Sequence, residues 1–140
     1  MKSLLCLLAA TLGVGIAGCA QIEVEEVGGP FRTVTGTVEM DSSAMLPAGS
    51  VMLVQVIDPS DAVMGPTVIG QSREEIQGVS PFAFSVELRV SNEAVLRRGV
   101  QLEVQIQVDG RLRYRNVTDT VISSQNVERP ATIRVQAVGT

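Results

Sequence analysis

The sequence predicts an all-β fold: an antiparallel β-sandwich of about seven to eight short strands with at most one short helix. Apolar residues recur at every second position along much of the chain, the spacing of strands with one face in a core. Segments rich in Pro, Gly, Asp and Ser interrupt these runs at short intervals. Two packed antiparallel sheets, each with one apolar face, are therefore expected.

The clearest strand is Val100–Val108, where five apolar residues alternate with polar ones. Residues 51–57 are apolar at both odd and even positions, which predicts a central strand covered on both faces. The one helical candidate is 92–98, with Ser91 or Asn92 as its N-cap and Gly99 as its stop. The remaining predicted strands are 33–40, 68–76, 82–90 and 131–138.

The turn at Asp109-Gly110 tests the register of the strand that follows it. A loop of only these two residues would place Val108 opposite Arg111, an arginine among apolar neighbours. Parity therefore predicts either a bulge or a three-residue connection. The three-residue connection would form the pairs Val108–Leu112 and Ile106–Tyr114.

The N-terminal segment has the layout of a bacterial export signal. Lys2 precedes an apolar run over 4–12 that Thr11 alone interrupts, and small residues lead to Cys19. The run is shorter than the ~20 apolar residues that a spanning helix needs, so a retained single-pass anchor is the weaker alternative. We expect residues 1–18 to be a signal peptide that is removed.

The tetrapeptide Ile16-Ala17-Gly18-Cys19 resembles the lipobox of bacterial lipoproteins. The resemblance implies a diacylglycerol thioether on Cys19, cleavage before it and acylation of the new amino group. Two or more acyl chains hold a protein firmly in a membrane. Because Ala20 follows the cysteine, the lipoprotein sorting rule implies the periplasmic face of the outer membrane. The alternative is a soluble secreted protein in which Cys19 is merely near the cleavage site.

Residues 19–31 are expected to form the lipidated cysteine and a flexible tether, followed by one β-sandwich domain over 32–140. Three glutamates and the Gly28-Gly29-Pro30 break interrupt any regular pattern in this segment. The eleven residues 20–30 span at most ~40 Å when fully extended, so the domain should lie close to the bilayer. Alternatively, Ile22, Val24 and Val27 add an edge strand.

Composition excludes several classes of function. After cleavage before Cys19 the chain has one cysteine, no lysine and no histidine. It therefore lacks the residues for a disulfide framework, a Ser-His-Asp triad or the usual zinc sites. Ten arginines against 15 acidic residues give this part of the chain a net charge of −5, which argues against nucleic-acid binding. No cofactor is expected.

The remaining carboxylates do not form a convincing catalytic or metal site. Glu74 and Glu75 are adjacent, so in a strand they point to opposite faces and cannot act as an acid/base pair. Asp58 and Asp61 could offer oxygens to calcium, but they lack the ligand count of a dedicated loop and are better explained as a solvated turn. We therefore predict no catalytic residue and no metal ligand.

Several segments occur in the order found in one lipoprotein family. They are Val34-Thr35-Gly36-Thr37-Val38, Leu46-Pro47-Ala48-Gly49-Ser50-Val51, Val54-Gln55-Val56-Ile57-Asp58, Thr67-Val68-Ile69-Gly70, Pro81-Phe82-Ala83-Phe84, Asp109-Gly110-Arg111-Leu112 and Thr118-Asp119-Thr120. The chain resembles the YbaY/YscW family over 34–138. This resemblance implies a β-sandwich on an outer-membrane lipid anchor. For the secretion branch it implies a pilotin, which escorts a secretin to the outer membrane and helps it assemble.

The candidate binding residues are Arg113, Tyr114 and Arg115, because two cations on one strand face could grip an acidic partner segment. Cross-strand pairing with Glu103 and nearby glutamines is the alternative, and strand addition at an exposed sheet edge is another binding mode. We expect a non-enzymatic interaction module that binds an envelope protein such as a secretin. The alternatives are a housekeeping YbaY-like lipoprotein without a secretin client and a carboxylate-dependent hydrolase of cell-wall glycans.

Overall fold

Strands dominate the computed structural model, which describes residues 32–41, 43–88 and 93–139. The expected signal peptide, the tether, the alternative edge strand and both possible N-cap residues of the helix lie outside these ranges. The elements within them are β1 (Arg32–Met40), β2 (Leu46–Asp58), β3 (Thr67–Gly78), β4 (Phe82–Leu88), α1 (Glu93–Arg98), β5 (Val100–Val108), β6 (Arg111–Asn116), β7 (Thr120–Ile122) and β8 (Ala131–Ala137).

The all-β class, the number of strands and the single short helix are confirmed within the described ranges. The arrangement differs from two antiparallel sheets, since the strands form one sheet in the order β3-β2-β5-β6-β8-β1-β4, with β7 also paired to β5. Strands β1 and β8 are parallel, and every other pair is antiparallel. Alternation of apolar residues fixes which face of each strand is buried, but it contains no information on which strands become neighbours.

The sheet curls until its two outermost strands, β3 and β4, come into contact. At Gly70 of β3, a Cβ atom would lie 2.8 Å from the carbonyl oxygen of Glu87 and 2.9 Å from a methyl group of Leu88. A glycine permits this close approach of two backbones. The result is a nearly closed barrel whose interior is the hydrophobic core.

The core is built from inward residues at alternate positions. Val100, Leu102, Val104 and Ile106 of β5 are each at most 1% exposed, so this strand has the predicted bounds and the predicted buried face. Strand β2 is central, as predicted, because it pairs with both β3 and β5. Its outward apolar residues are only half-buried, and no described element packs over them. The expected cover on its second face is therefore not found among the described residues.

The β5–β6 hairpin has a two-residue loop and a bulge in β6. Its loop consists of Asp109 and Gly110 alone, with φ angles of 52° and 74°, so Val108 is paired with Arg111 and the predicted three-residue connection is wrong. The predicted bulge is confirmed, because the register shifts between Ile106 and Gln107 and restores the expected pair Ile106–Tyr114, which Gln105–Arg115 follows. Asp-Gly favours a two-residue turn with two positive φ angles, and the bulge absorbs the mismatch.

Helix α1 ends as predicted, at Gly99, which has a φ of 90° and donates its N–H to the carbonyl of Leu96 at 3.1 Å. Leu96 attaches the helix to the core. Strand β7 was not predicted, since only three residues, Thr120–Ile122, take part in it. Its pairing with β5 depends on the remote segment Val100–Leu102, which local sequence does not reveal.

Candidate partner-binding surface

The three predicted binding residues do not lie on one face of β6. Arg115 is paired with Gln105 and shares its outward direction, whereas Tyr114 is paired with the buried Ile106 and packs against the core. Arg113 is the additional residue of the bulge, and its carbonyl accepts the N–H of Val138 at 2.8 Å. The structure therefore places the Tyr114 ring away from the guanidinium of Arg115.

The expected alternative was pairing of these arginines with Glu103, and neither arginine forms that ion pair among the described residues. Oε1 of Glu103 instead accepts the side-chain amide of Gln105 at 2.9 Å. The ion pairs found among the described residues use Arg32, Arg98 and Arg134, and none of them includes Arg113 or Arg115. Within the part of the chain that the structure describes, these two cations thus remain available to a partner.

A broader surface emerges from the register of the outward residues on β3, β2, β5 and β6. Cross-strand neighbours share a face, so each row of pairs across the sheet has a defined composition. We call this surface the outer face. Its rows are Glu75-Val51-Gln107-Leu112, Arg73-Leu53-Gln105-Arg115, Gln71-Gln55-Glu103 and Val68-Ile57-Gln101-Val121.

Apolar side chains run along the middle of the outer face. Val51, Leu53 and Ile57 of β2 are half-buried although no described element covers them. The row through Leu53 is bounded by two arginines, Arg73 on β3 and Arg115 on β6. An apolar stripe bordered by cations and amides suits a partner segment that combines apolar and acidic side chains.

A shallow depression occupies one corner of the outer face, with a volume of about 220 Å³. Its lining includes Ile57, Glu103, Arg115 and Asp119, so it combines an apolar floor with charges of both signs. The depression is too open and too polar to resemble a typical small-molecule pocket, which is concave and mostly apolar. It extends the outer face toward the turn between β6 and β7.

Asn116 fixes the local geometry next to Arg115. Its Oδ1 accepts the N–H of Val104 at 2.9 Å, and its Nδ2 donates to the carbonyls of Leu102 at 3.0 Å and Thr118 at 3.2 Å. The side-chain amide thus forms the hydrogen bonds to β5 that a backbone would form in a paired strand, at the turn between β6 and β7. This holds the end of β6, and with it Arg115, against β5.

The carboxylates weighed as catalytic or metal-binding candidates have structural surroundings. Glu74 and Glu75 pair with Met52 and Val51, which face opposite sides of the sheet as predicted. A search of the described residues finds no group of three or more potential metal ligands. The sequence prediction assigned no catalytic residue and no metal ligand, and the geometry of these residues adds none.

Two aspartates cap the turns of the β2–β3 loop. Hydrogen bonds from the side chain and backbone of Ser60, aided by the charge of Arg98, hold the pKa of Asp58 below its ordinary value. Backbone N–H groups of Met64 and Val63 lower the pKa of Asp61 in the same way. Both carboxylates therefore act as ionised hydrogen-bond acceptors that organise the loop.

Comparison with protein families gives a match to the type III secretion system lipoprotein chaperone family (YscW) over residues 30–135. The chain belongs to this family. A search among curated protein sequences found no match. Among solved structures, the chain is similar to an alternative pilotin from the type II secretion system of Vibrio cholerae, with a TM-score of 0.67 and 21% identity over 79% of this chain and all of that one. This likeness supports the same fold.

Sequence reasoning missed most of the outer face of this YscW-family protein. The signal was present, because residues 51–57 are apolar on both parities, but it was interpreted as a strand covered on both sides. Arg73 gave no signal of its own, since only the β2–β3 register places it beside Leu53.

Among the described residues, no helix is long and apolar enough to cross a membrane.

Proposed function

We propose that this protein is a pilotin-type lipoprotein chaperone that uses its outer face to bind a secretin or another outer-membrane protein. Its membership of the YscW family supports a chaperone role, and the similar solved structure is a pilotin from a type II secretion system. The proposed role is binding and delivery without catalysis. The proposed location is the periplasmic face of the outer membrane, with a lipid on Cys19 as the anchor.

The observation that carries this proposal is the half-buried apolar row Val51, Leu53 and Ile57 on a sheet face that no described element covers. A chaperone must shield apolar surface of its client until the client assembles. A sheet face with an apolar centre and a polar border provides such a surface while remaining soluble by itself. Arg73 and Arg115 add a preference for acidic groups beside the apolar contact.

The anchor is tested separately from the binding. Mass spectrometry of the protein recovered from native membranes should show an acylated N-terminal Cys19, and Cys19→Ser should move the protein from the membrane fraction to the soluble fraction. A soluble wild-type protein, or an unmodified Cys19, would contradict the proposed anchor. Each of these outcomes leaves the binding proposal open to its own experiment.

Affinity capture from detergent-solubilised envelopes tests the binding. A tagged Cys19→Ser chain serves as bait, and retained proteins are identified by mass spectrometry. We expect specific enrichment of a secretin, and loss of that enrichment with Arg73→Gln/Arg115→Gln. The matched control is Arg97→Gln/Arg129→Gln, which removes two exposed arginines away from the outer face.

Two results would overturn parts of this proposal. If the folded bait retains no secretin, the protein is a housekeeping YbaY-like lipoprotein without a secretin client. If both double variants retain the secretin equally, the outer-face arginines do not contribute to binding. Circular dichroism of each variant separates these results from a loss of fold.

A further inference from the structure

One end of the barrel contains both the start of the domain and its most exposed apolar side chains. We call it the tether end: it comprises Arg32, helix α1 and the β2–β3 loop over residues 59–66. Arg32 pairs with Glu93 in the first turn of α1 at 2.9 Å. Helix α1 has six residues and is thus about 9 Å long. At its other end, Arg98 contacts Asp58 at 3.7 Å and Ser60 at 3.4 Å.

The tip of the tether end is formed by Val63 and Met64. Val63 is 92% exposed and Met64 is 84% exposed, the two highest values among the large apolar side chains of the described residues. Asp61 holds the turn in place, because its Oδ1 accepts the N–H groups of Val63 at 2.8 Å and Met64 at 2.9 Å. The loop therefore presents two adjacent apolar side chains on an ordered backbone.

The length of the preceding segment determines which end of the barrel lies near an anchor at Cys19. The tether expected over residues 19–31 would have a root-mean-square span of about 20 Å as a flexible chain. Strand β1 has nine residues and extends about 30 Å from the tether end toward the opposite end of the barrel. Because β1 begins at the tether end, a relaxed tether keeps this end close to the bilayer and the opposite end far from it.

We propose that Val63 and Met64 insert into the lipid surface and orient the domain on the membrane. This inference rests on the proposed lipid anchor, which supplies the proximity, while the loop supplies the orientation. Burial in the acyl boundary removes both apolar side chains from water. The tether end has exposed charges of both signs, including Arg97, Arg129 and Glu128, so the contact depends on the apolar side chains rather than on net charge.

The orientation places the outer face along the side of the barrel, accessible to a partner embedded in or assembling at the same membrane. The strands run from the tether end to the opposite end, so the outer-face rows stack along the membrane normal. A client segment would therefore lie beside the barrel, at the height of these rows above the bilayer. This links the loop to the proposed chaperone role without making it part of the binding surface.

Depth-dependent fluorescence quenching tests the proposal. Chains of residues 19–140 with Cys19→Ser and an N-terminal hexahistidine are attached to vesicles of phosphatidylethanolamine, phosphatidylglycerol and a minor fraction of nickel-chelating lipid. The histidine anchor replaces the acyl anchor, so the experiment remains valid even if native Cys19 carries no lipid. An environment-sensitive fluorophore is placed at Ala62→Cys, beside the native Val63 and Met64, or at Val79→Cys at the opposite end.

We expect nitroxide-labelled lipids to quench the Ala62→Cys probe about twofold more than the Val79→Cys probe. Adding Val63→Asp/Met64→Asp should reduce the quenching at position 62 to the level at position 79. Both side chains are exposed, so these aspartates should leave the circular dichroism spectrum unchanged.

Equal quenching at the two positions would overturn the proposal, as would persistence of the quenching in the double aspartate variant. If Val63→Asp/Met64→Asp left the quenching unchanged but abolished capture of the secretin, the loop would be assigned to protein binding. That result would also overturn the proposed membrane insertion. Failure of the proposed function would be recognised from other measurements, namely an unmodified native Cys19 or a failure to capture a secretin. In both cases the vesicle experiment would still report the orientation of the barrel.

Discussion

The side-chain amide of Asn116 forms a strand-like hydrogen bond to Val104, whose N–H it accepts at 2.9 Å. The same side chain donates to the carbonyl of Leu102 and to that of Thr118. It therefore joins β5 to the turn between β6 and β7 at a position where no backbone partner is present. One polar residue thus completes a gap in the sheet beside the candidate binding surface.

Asn116→Ala should lower the free energy of unfolding by about 2–3 kcal/mol, because it leaves half-buried backbone groups of Val104 and Leu102 without a partner. Urea unfolding of the variant and wild type measures the difference. The matched control is Gln136→Ala on the neighbouring strand, whose side chain is exposed, and we expect a change within about 0.5 kcal/mol there. Equal effects at both positions would contradict the role assigned to the amide.

Gly36→Ala should destabilise the protein by about 3 kcal/mol or more, because a Cβ atom would overlap the backbone carbonyl of Ala131 and lie 2.8 Å from the Phe84 ring. Gly36 is in β1, where the parallel pairing with β8 begins, so a backbone would have to shift. Gly139→Ala provides the control, since a Cβ there meets nothing within 4 Å. Thermal unfolding of both variants tests this, and similar melting temperatures would show that β8 can move away at little cost.

The inward faces of the strands could be predicted because the alternation of apolar and polar residues along a strand is a property of the local sequence. Val100–Val108 has the predicted bounds, and the parity of its apolar residues also predicted an extra residue, either as a bulge or in a longer loop; the structure has the bulge, in β6. The location of that bulge was not predictable, since either the loop or the strand could absorb the extra residue. The preference of Asp-Gly for a two-residue turn decided it.

The neighbours of the strands and the outer face could not be predicted. The parallel β1–β8 pair and the short β7 depend on contacts between remote segments. Leu53 is apolar whether its face meets another layer of the same protein or a partner, so the pattern alone does not distinguish the two. Arg113 and Arg115 were expected on one strand face, but the register places Leu112 opposite Gln107 and makes Arg113 the additional residue of the bulge.

The contribution of Asp58 to stability should depend on pH. Hydrogen bonds from Ser60, with the charge of Arg98 as a further cause, lower its pKa in the folded state, so the ionised form is favoured by folding. This contribution is present above the unfolded pKa of about 3.9 and is lost as the pH falls through the folded value. Asp58→Ala should therefore lower the melting temperature at neutral pH and much less at strongly acidic pH.

Melting curves of wild type and Asp58→Ala over a pH series measure this difference. Ser60→Ala serves as a companion variant, since it keeps the carboxylate and its backbone hydrogen bond but removes the hydroxyl. We expect the same trend with pH and a smaller amplitude. A difference between wild type and Asp58→Ala that stays constant across the series would show that the residue acts through packing or turn geometry instead.

Adjacent residues of β2 should separate folding from partner binding. Met52 is fully buried and points into the core, so Met52→Ala should cost about 2–5 kcal/mol. Leu53 is half-buried on the outer face, where Ala removes less contact with the protein itself, and Leu53→Ala should cost clearly less in urea unfolding. In capture experiments on the folded proteins the order should reverse, with Leu53→Ala losing the partner and Met52→Ala retaining it. If Leu53→Ala bound the partner as wild type does, the apolar row on β2 would have to be explained by cover from another part of the chain.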